Sequence, residues 1–530
     1  MDVWSWICEL PNSVEGTESH SPPMKFELAS EKNDDKLDNS TRSIHLKAER
    51  TSGSDSEAAV IFTVCLQGFH PHNAHKPLWV SEKCHLSSEK PFLPLLLQLL
   101  QEIISHSPTA HDSTCPRSQL QKLKPDPIAW IMDSHTPESL STFFNLVFTM
   151  RLFWLCAFHA PPEAGSLYFH SLLAPVLQTA SSKLASSVLR TFFITVGVDT
   201  ELCFMRTLGY IITKLHLIKE LDVGLLGLKT LLPSPKFSYA NEAHGLWILK
   251  GYAPVMTMKL ARTNTVQKTQ FSGIDAKESI LRYSLAHHQL EAHVQLDYTV
   301  GFYDGFIQVR ARVDNIRLHL ARLGFSQNYD VDDFVEEKHF PSRVRVWVGP
   351  EIGSTYCAGL SLGRSTENKE CEVETKRIVE GNFEKSQGSN VKALAKSSRR
   401  TRSRSWRMDQ DAEGNAAIFD VVLHDNTTGQ EVGSWRPKGD DPAHGLRGRY
   451  VRANRAFNKS GSVVIAGDEY GEEVGWRLSK EMEGSVLKWR IGGEFWVSYL
   501  PNQAKGSYFE TRYIEWCDEV DLPLIHGKTT

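Results

Sequence analysis

The sequence predicts an α+β protein: an antiparallel β-sandwich or barrel-like region in the C-terminal half, a helical middle section and extra strands near the N-terminus. Two observations carry this. From about residue 244 the hydrophobic period is two, over many short runs separated by Gly, Asn and Asp, the pattern of antiparallel strands with one buried face. Between about 90 and 230 the period is three to four, the pattern of helices with one apolar stripe.

The clearest β unit is LEAHVQLDYTVGFYDGFIQVRARVDNIRLHL. Leu290, Ala292, Val294, Leu296, Tyr298 and Val300 fall on one face, and Ile307, Val309, Ala311 and Val313 return on the next strand. Asp304-Gly305 between them predicts a type I′ hairpin turn. RVRVWV, ECEVETKRIV, AAIFDVVLHD, SVVIAG, EVGWRLS, SVLKWRI and EFWVSYL extend the pattern. In the helical section, Thr136-Pro137-Glu138 is a helix start with Thr as cap, Pro in the first turn and Glu at the positive end of the dipole. Phe204, Leu208, Ile211, Leu215 and Ile218 mark a second amphipathic helix. Near the N-terminus, MKFELA and SIHLKA alternate, and AAVIFTVCLQGF reads as a buried strand.

These readings divide the chain into a flexible tail (1–23), an N-terminal β segment that would join the C-terminal sheets (24–86) and a helical section (87–232). A β-rich region (238–383), a flexible basic loop (384–402), a second β-rich region (403–522) and a tail (523–530) complete it. At 41% hydrophobic and 23% charged residues the composition is that of a folded globular protein. A net charge of −4 argues against a nucleic-acid binder, so any basic surface is local. Nine scattered cysteines, an odd number without a CxxC pair, read as free thiols. MDVWSWICELPNS has neither the basic start nor the apolar core of a secretory signal. The most apolar stretch, Phe143 to Phe158, is shorter than a span and contains Asn145 and Arg151, so it reads as a core helix. Together these give the expectation of a cytoplasmic or nuclear protein that is not secreted and has no transmembrane span.

No motif fixes a chemistry. GLSLG (Gly359 to Gly363) matches the pattern of a nucleophile elbow, but no helix opens after Ser361. His70, His72 and His75 lie in a proline-broken loop, and His287, His288 and His293 alternate on a strand, so no metal is assigned. No phosphate-binding glycine loop occurs. Neither catalytic nor cofactor residues are named, and the expected balance is against an enzyme.

Two charged features remain. Trp-Arg occurs at 406–407, 435–436, 476–477 and 489–490, and strand alternation puts Trp in the core and Arg outside. KSSRRTRSRSWR carries six cations and no acid: Lys396, Arg399, Arg400, Arg402, Arg404 and Arg407. They are the candidate anion-binding residues. Arg400 and Arg402 stand three residues before Ser403 and Ser405, which makes those serines candidate phosphorylation sites. The function expected from these features is a non-enzymatic intracellular scaffold that binds a protein partner through loops on a β-sandwich. The alternatives are a protein that binds an apolar ligand or a membrane surface peripherally, and a hydrolase-type enzyme with a dispersed site.

Overall fold

The structure, a computed structural model, describes residues 2–10, 23–32, 41–52, 58–69, 77–108, 122–173, 175–177, 183–220, 236–255, 288–323, 338–367, 371–384, 390–403, 406–424, 462–467, 472–500 and 512–525. It forms two compact units: residues 1–237 with 253–289 and 322–328, and residues 238–252 with 290–321 and 329–530.

In the first unit, helix α1 (Val3–Glu9) precedes strands β1 (Met24–Lys32), β2 (Thr41–Ser52), β3 (Ala58–Gln67), β4 (Trp79–Val80) and β5 (Cys84–His85). The strands form one antiparallel sheet in the order β1-β2-β3-β4, with β5 also on β3. Among the described residues these strands pair with one another, and none pairs with a C-terminal strand. The apolar face of these strands is covered locally: Phe62 packs 6.1 Å from Phe92, and Trp6 lies 5.3 Å from Phe26. Helices α2 (Leu93–Ser105), α3 (Pro125–Ser134), α4 (Pro137–Phe158) and α5 (Pro162–Leu167) follow, then a π-helical turn (Tyr168–Leu173), α6 (Lys183–Val196) and α7 (Val198–Glu220).

Helix α4 starts as its sequence dictates, with Ser139 N–H donating to the Thr136 hydroxyl at 3.4 Å. Among the described residues, the segment Pro137–Ala157 is the one helix long and apolar enough to cross a membrane, and 89% of its most apolar window is buried in protein. The two polar residues that interrupt its apolar sequence, Asn145 and Arg151, have protein partners. Asn145 Oδ1 accepts from Val3 N–H at 3.2 Å, and Arg151 pairs with Glu102. In α7, Phe204, Leu208, Ile211 and Leu215 are buried, as their spacing predicts.

The second unit is antiparallel β. A seven-stranded sheet has the order β11 (Cys357–Ser361), β18 (Val474–Ser479), β9 (Phe306–Arg322), β8 (His288–Tyr303), β7 (Leu246–Val255) and β6 (Phe237–Ala243), with β17 (Val463–Ala466) also on β9. A six-stranded sheet runs β12 (Thr366–Glu367), β15 (Trp406–Glu413), β16 (Ala416–Leu423), β10 (Lys338–Pro350), β19 (Val486–Leu500) and β20 (Arg512–Pro523). The two pack face to face around tryptophan. Trp489 of β19 lies 4.7 Å from Trp476 of β18 and 5.1 Å from Trp247 of β7, and all three are fully buried. Gly251 of β7 leaves the space that Trp516 of β20 fills, since a Cβ there would stand 2.4 Å from the indole.

One turn differs from expectation. At Asp304-Gly305 only the glycine has positive φ (91°), so the turn is not type I′. The hairpin between β6 and β7 has that geometry instead, with φ 53° at His244 and 78° at Gly245.

Candidate functional site

The remaining two strands, β13 (Cys371–Glu384) and β14 (Asn390–Ser403), pair only with each other among the described residues. The stretch 384–402, expected to be a flexible basic loop, is thus mostly strand: β14 starts at Asn390 and runs to Ser403. The reason is visible in the pairing. Glu372 faces Arg402 and Glu374 faces Arg400, so acids of β13 stand opposite cations of β14. Opposite charges at facing positions stabilise an antiparallel pair, and a reading of 390–403 without 371–384 misses them.

Thr366 pairs with Met408 where β12 meets β15. Five residues forward and five back lie Cys371 and Ser403, which are themselves paired. The two pairs thus keep the same offset, while residues 368–370 and 404–405 between them lie outside the described residues. Trp406 and Met408, at 4% and 1% exposure, anchor β15 in the core. At about 3.3 Å per residue, the fourteen residues of each arm reach roughly 45 Å.

Facing residues of an antiparallel pair lie on the same side of the ribbon, and successive residues alternate. One face takes the positions of Val373, Val379, Gly381, Phe383, Val391, Ala393 and Ala395, with Cys371, Thr375, Ser397, Thr401 and Ser403. Arg377 and Arg399 are the charged residues on it. The other face takes Glu372, Glu374, Lys376, Glu380, Glu384, Lys392, Lys396, Arg400 and Arg402, interrupted by Ile378 and Leu394. The two arms hold seven cations and four acids, net +3; the whole chain is −4, which leaves the remainder near −7.

Four of the six candidate anion-binding residues share one strand. Lys396, Arg399, Arg400 and Arg402 are on β14, as is Ser403, whereas Arg404 and Ser405 lie outside the described residues. Arg407 is on β15 and is paired with Asp409 at 3.0 Å. Burial works against ionisation of Asp409, but hydrogen bonds from Ser365 and Arg407 outweigh it and hold the carboxyl below the usual value.

The other Trp-Arg pairs behave as strand alternation requires. Trp406, Trp476 and Trp489 are buried, while Arg407 and Arg477 are exposed and Arg490 half-buried; Trp435-Arg436 lies outside the described residues. The arginines have local partners. Arg477 stacks 4.3 Å from Phe306, and Arg490 stacks 5.0 Å from Trp347. The outer face of the six-stranded sheet carries a further set, which sequence reasoning did not pick out. Arg343 and Arg345 both reach Asp420, Arg345 reaches Glu494 at 3.3 Å, and Arg343 lies 5.2 Å over Trp496. The alternation in RVRVWV was the available signal for it.

Of the other motifs, Gly359–Ser361 are in edge strand β11, and no helix follows in the described residues. His70, His72, His75 and His287 lie outside the described residues. Among those described, no group of three or more His, Cys, Asp or Glu side chains could hold a metal ion. His293 on β8 is held neutral. Burial, then the charges of Lys250 and Arg317 on either side, push it down to about 4, and its Nε2 has no hydrogen-bond partner.

No protein-family model matches the chain, and no curated protein matches it. Solved structures do. The delta-toxin of Clostridium perfringens is 8% identical with a TM-score of 0.21, over 54% of this chain and 96% of that one. A pore forming protein is 8% identical with a TM-score of 0.22, over 53% and 94%. The Clostridium perfringens NetB toxin in the membrane inserted form is 8% identical with a TM-score of 0.19, over 54% and 94%. This finding withdraws the expectation of an intracellular, protein-binding scaffold in the cytoplasm or nucleus that is not secreted, because the structures it resembles are two toxins and a pore-forming protein. At these TM-scores the likeness puts nothing about activity in its place.

Proposed function

We propose that this chain is a peripheral membrane-binding protein whose β13–β14 ribbon meets an anionic lipid surface. The observation that supports this reading is the register: it gathers the small and apolar residues of two long arms on one face and most of their charge on the other. A two-stranded ribbon with no third strand among the described residues is marginal in water, so a surface that covers its apolar face would stabilise it. Its net charge of +3, against about −7 for the rest of the chain, selects an anionic one.

The contact is shallow. The uninterrupted apolar positions run from Val379 to Phe383 and from Val391 to Ala395, five residues or about 16 Å, before Arg377 and Arg399 break the face. A spanning strand needs about 9–11 residues, so the ribbon suits one leaflet and its headgroups.

The test is flotation of the purified full chain with vesicles of phosphatidylcholine alone and with added phosphatidylserine. The protein should float with the anionic vesicles and release as salt rises. A variant with 371–403 replaced by a short Gly-Ser turn should stay at the bottom with its unfolding midpoint unchanged. Equal flotation of the two proteins, or none with either lipid, would sink the reading.

A further inference from the structure

We infer that Ser403 is a phosphorylation site whose modification releases the ribbon from anionic lipid; the release rests on the membrane reading above. Three observations converge on this residue. The first is its sequence surroundings, Arg399-Arg400-Thr401-Arg402-Ser403, with no acid between Lys396 and Arg407. A protein kinase with an acidic subsite three residues before the acceptor recognises such a run, because paired arginine and carboxylate contacts are strong and directional. The second is its backbone. Ser403 closes β14, an extended strand whose outer edge has no partner strand among the described residues, so the run already has the extended form a kinase groove takes. The third is its register position. Ser403 faces Cys371 and shares its face with Val373, Val379 and Phe383, the side assigned to lipid, and it ends β14 three residues before Trp406 opens β15.

The chemistry is phosphoryl transfer from a nucleoside triphosphate, catalysed by a basophilic serine kinase. The Ser403 hydroxyl oxygen bonds to the γ-phosphorus, the bond from that phosphorus to the bridging oxygen breaks, the hydroxyl proton is lost and the nucleoside diphosphate leaves. The added group carries about −1.5 to −2 charges. That takes the ribbon from +3 to about +1, and it puts a strongly hydrated dianion on the same side as the apolar stretch, eight residues along the strand from Ala395. Both effects oppose binding to an anionic surface. Each unit charge near such a surface is worth enough that the loss should be tenfold or more.

The experiment treats the full chain with a basophilic kinase and ATP, locates the phosphate by mass spectrometry, and repeats the flotation with and without treatment. Phosphate should appear on Ser403, and treated protein should bind phosphatidylserine vesicles at least tenfold more weakly. Ser403→Ala should remove both the phosphate at this position and the kinase's effect on flotation. A second arm, Ser403→Glu, should weaken binding in the same direction without any kinase. If the untreated protein binds but neither treatment nor Ser403→Glu changes it, this inference is overturned and the membrane reading stands. If untreated protein floats with neither lipid, both fall. Full coverage of the peptide without phosphate on Ser403 overturns the inference whatever the vesicles show.

Discussion

The β13–β14 ribbon and the β10–β19 pair of the sandwich are both long antiparallel ladders with alternating sequences, yet their two faces meet different fates. In β10–β19 the inner face is sealed by the opposite sheet: Val344, Val346, Trp489, Ile491 and Phe495 are fully buried. The outer-face charges are balanced, two arginines against Asp420 and Glu494. In the ribbon, no third strand pairs with either arm among the described residues, and the charges sum to +3. Alternation alone therefore says that a strand has two faces. What lies over them decides whether the strand is scaffold or contact surface.

The comparison breaks most visibly in stability. Trp489→Ala should cost about 3–5 kcal/mol, because the indole is fully buried between Trp247 and Trp476 and its loss leaves a cavity. No ribbon substitution should approach that in denaturant unfolding. On the ribbon the effect belongs in binding. Changing Arg399, Arg400 and Arg402 together to Gln should weaken binding to phosphatidylserine vesicles by a hundredfold or so, at about 1 kcal/mol per charge, with the unfolding midpoint nearly unmoved.

An intermediate effect concerns pH. The folded pKa of His293 is about 4, below its ordinary value of about 6.5 in the unfolded chain. Folding therefore favours the neutral ring. The stability this provides is present above pH 6.5 and is lost as pH falls through 4, on the order of 2–3 kcal/mol. His293→Gln should flatten that part of the pH–stability curve measured by urea unfolding. Smallest is Asp420→Asn. Its arginine partners are about one-third exposed and solvent screens them, so the loss should be about 1 kcal/mol, with vesicle binding unchanged.

Much of the fold was legible in the sequence because each sign was local. Thr136 marks a cap, the spacing from Phe204 to Leu215 marks a helix face, and the tryptophans of the Trp-Arg pairs at 406, 476 and 489 mark the core side of their strands. What was not legible depended on pairing between distant segments. Nothing near Met24 says that its sheet is covered by Phe92 rather than by the C-terminal strands. Nothing near Arg400 says that Glu374 stands opposite, so a basic run looked like a loop. The turn at Asp304-Gly305 shows the same limit on a smaller scale: the dipeptide permits type I′, but the strands around it select another geometry.

The central claim is that one face of the ribbon, and not the other, meets lipid. Val379 and Glu380 are neighbours on opposite faces, so an environment-sensitive fluorophore attached in turn to Val379→Cys and Glu380→Cys, in a cysteine-free background, reads this directly. With phosphatidylserine vesicles the label at 379 should shift to the blue and that at 380 should stay near its value in water, and neither should move with phosphatidylcholine alone. Equal shifts at the two positions, or no shift at 379, would contradict the account.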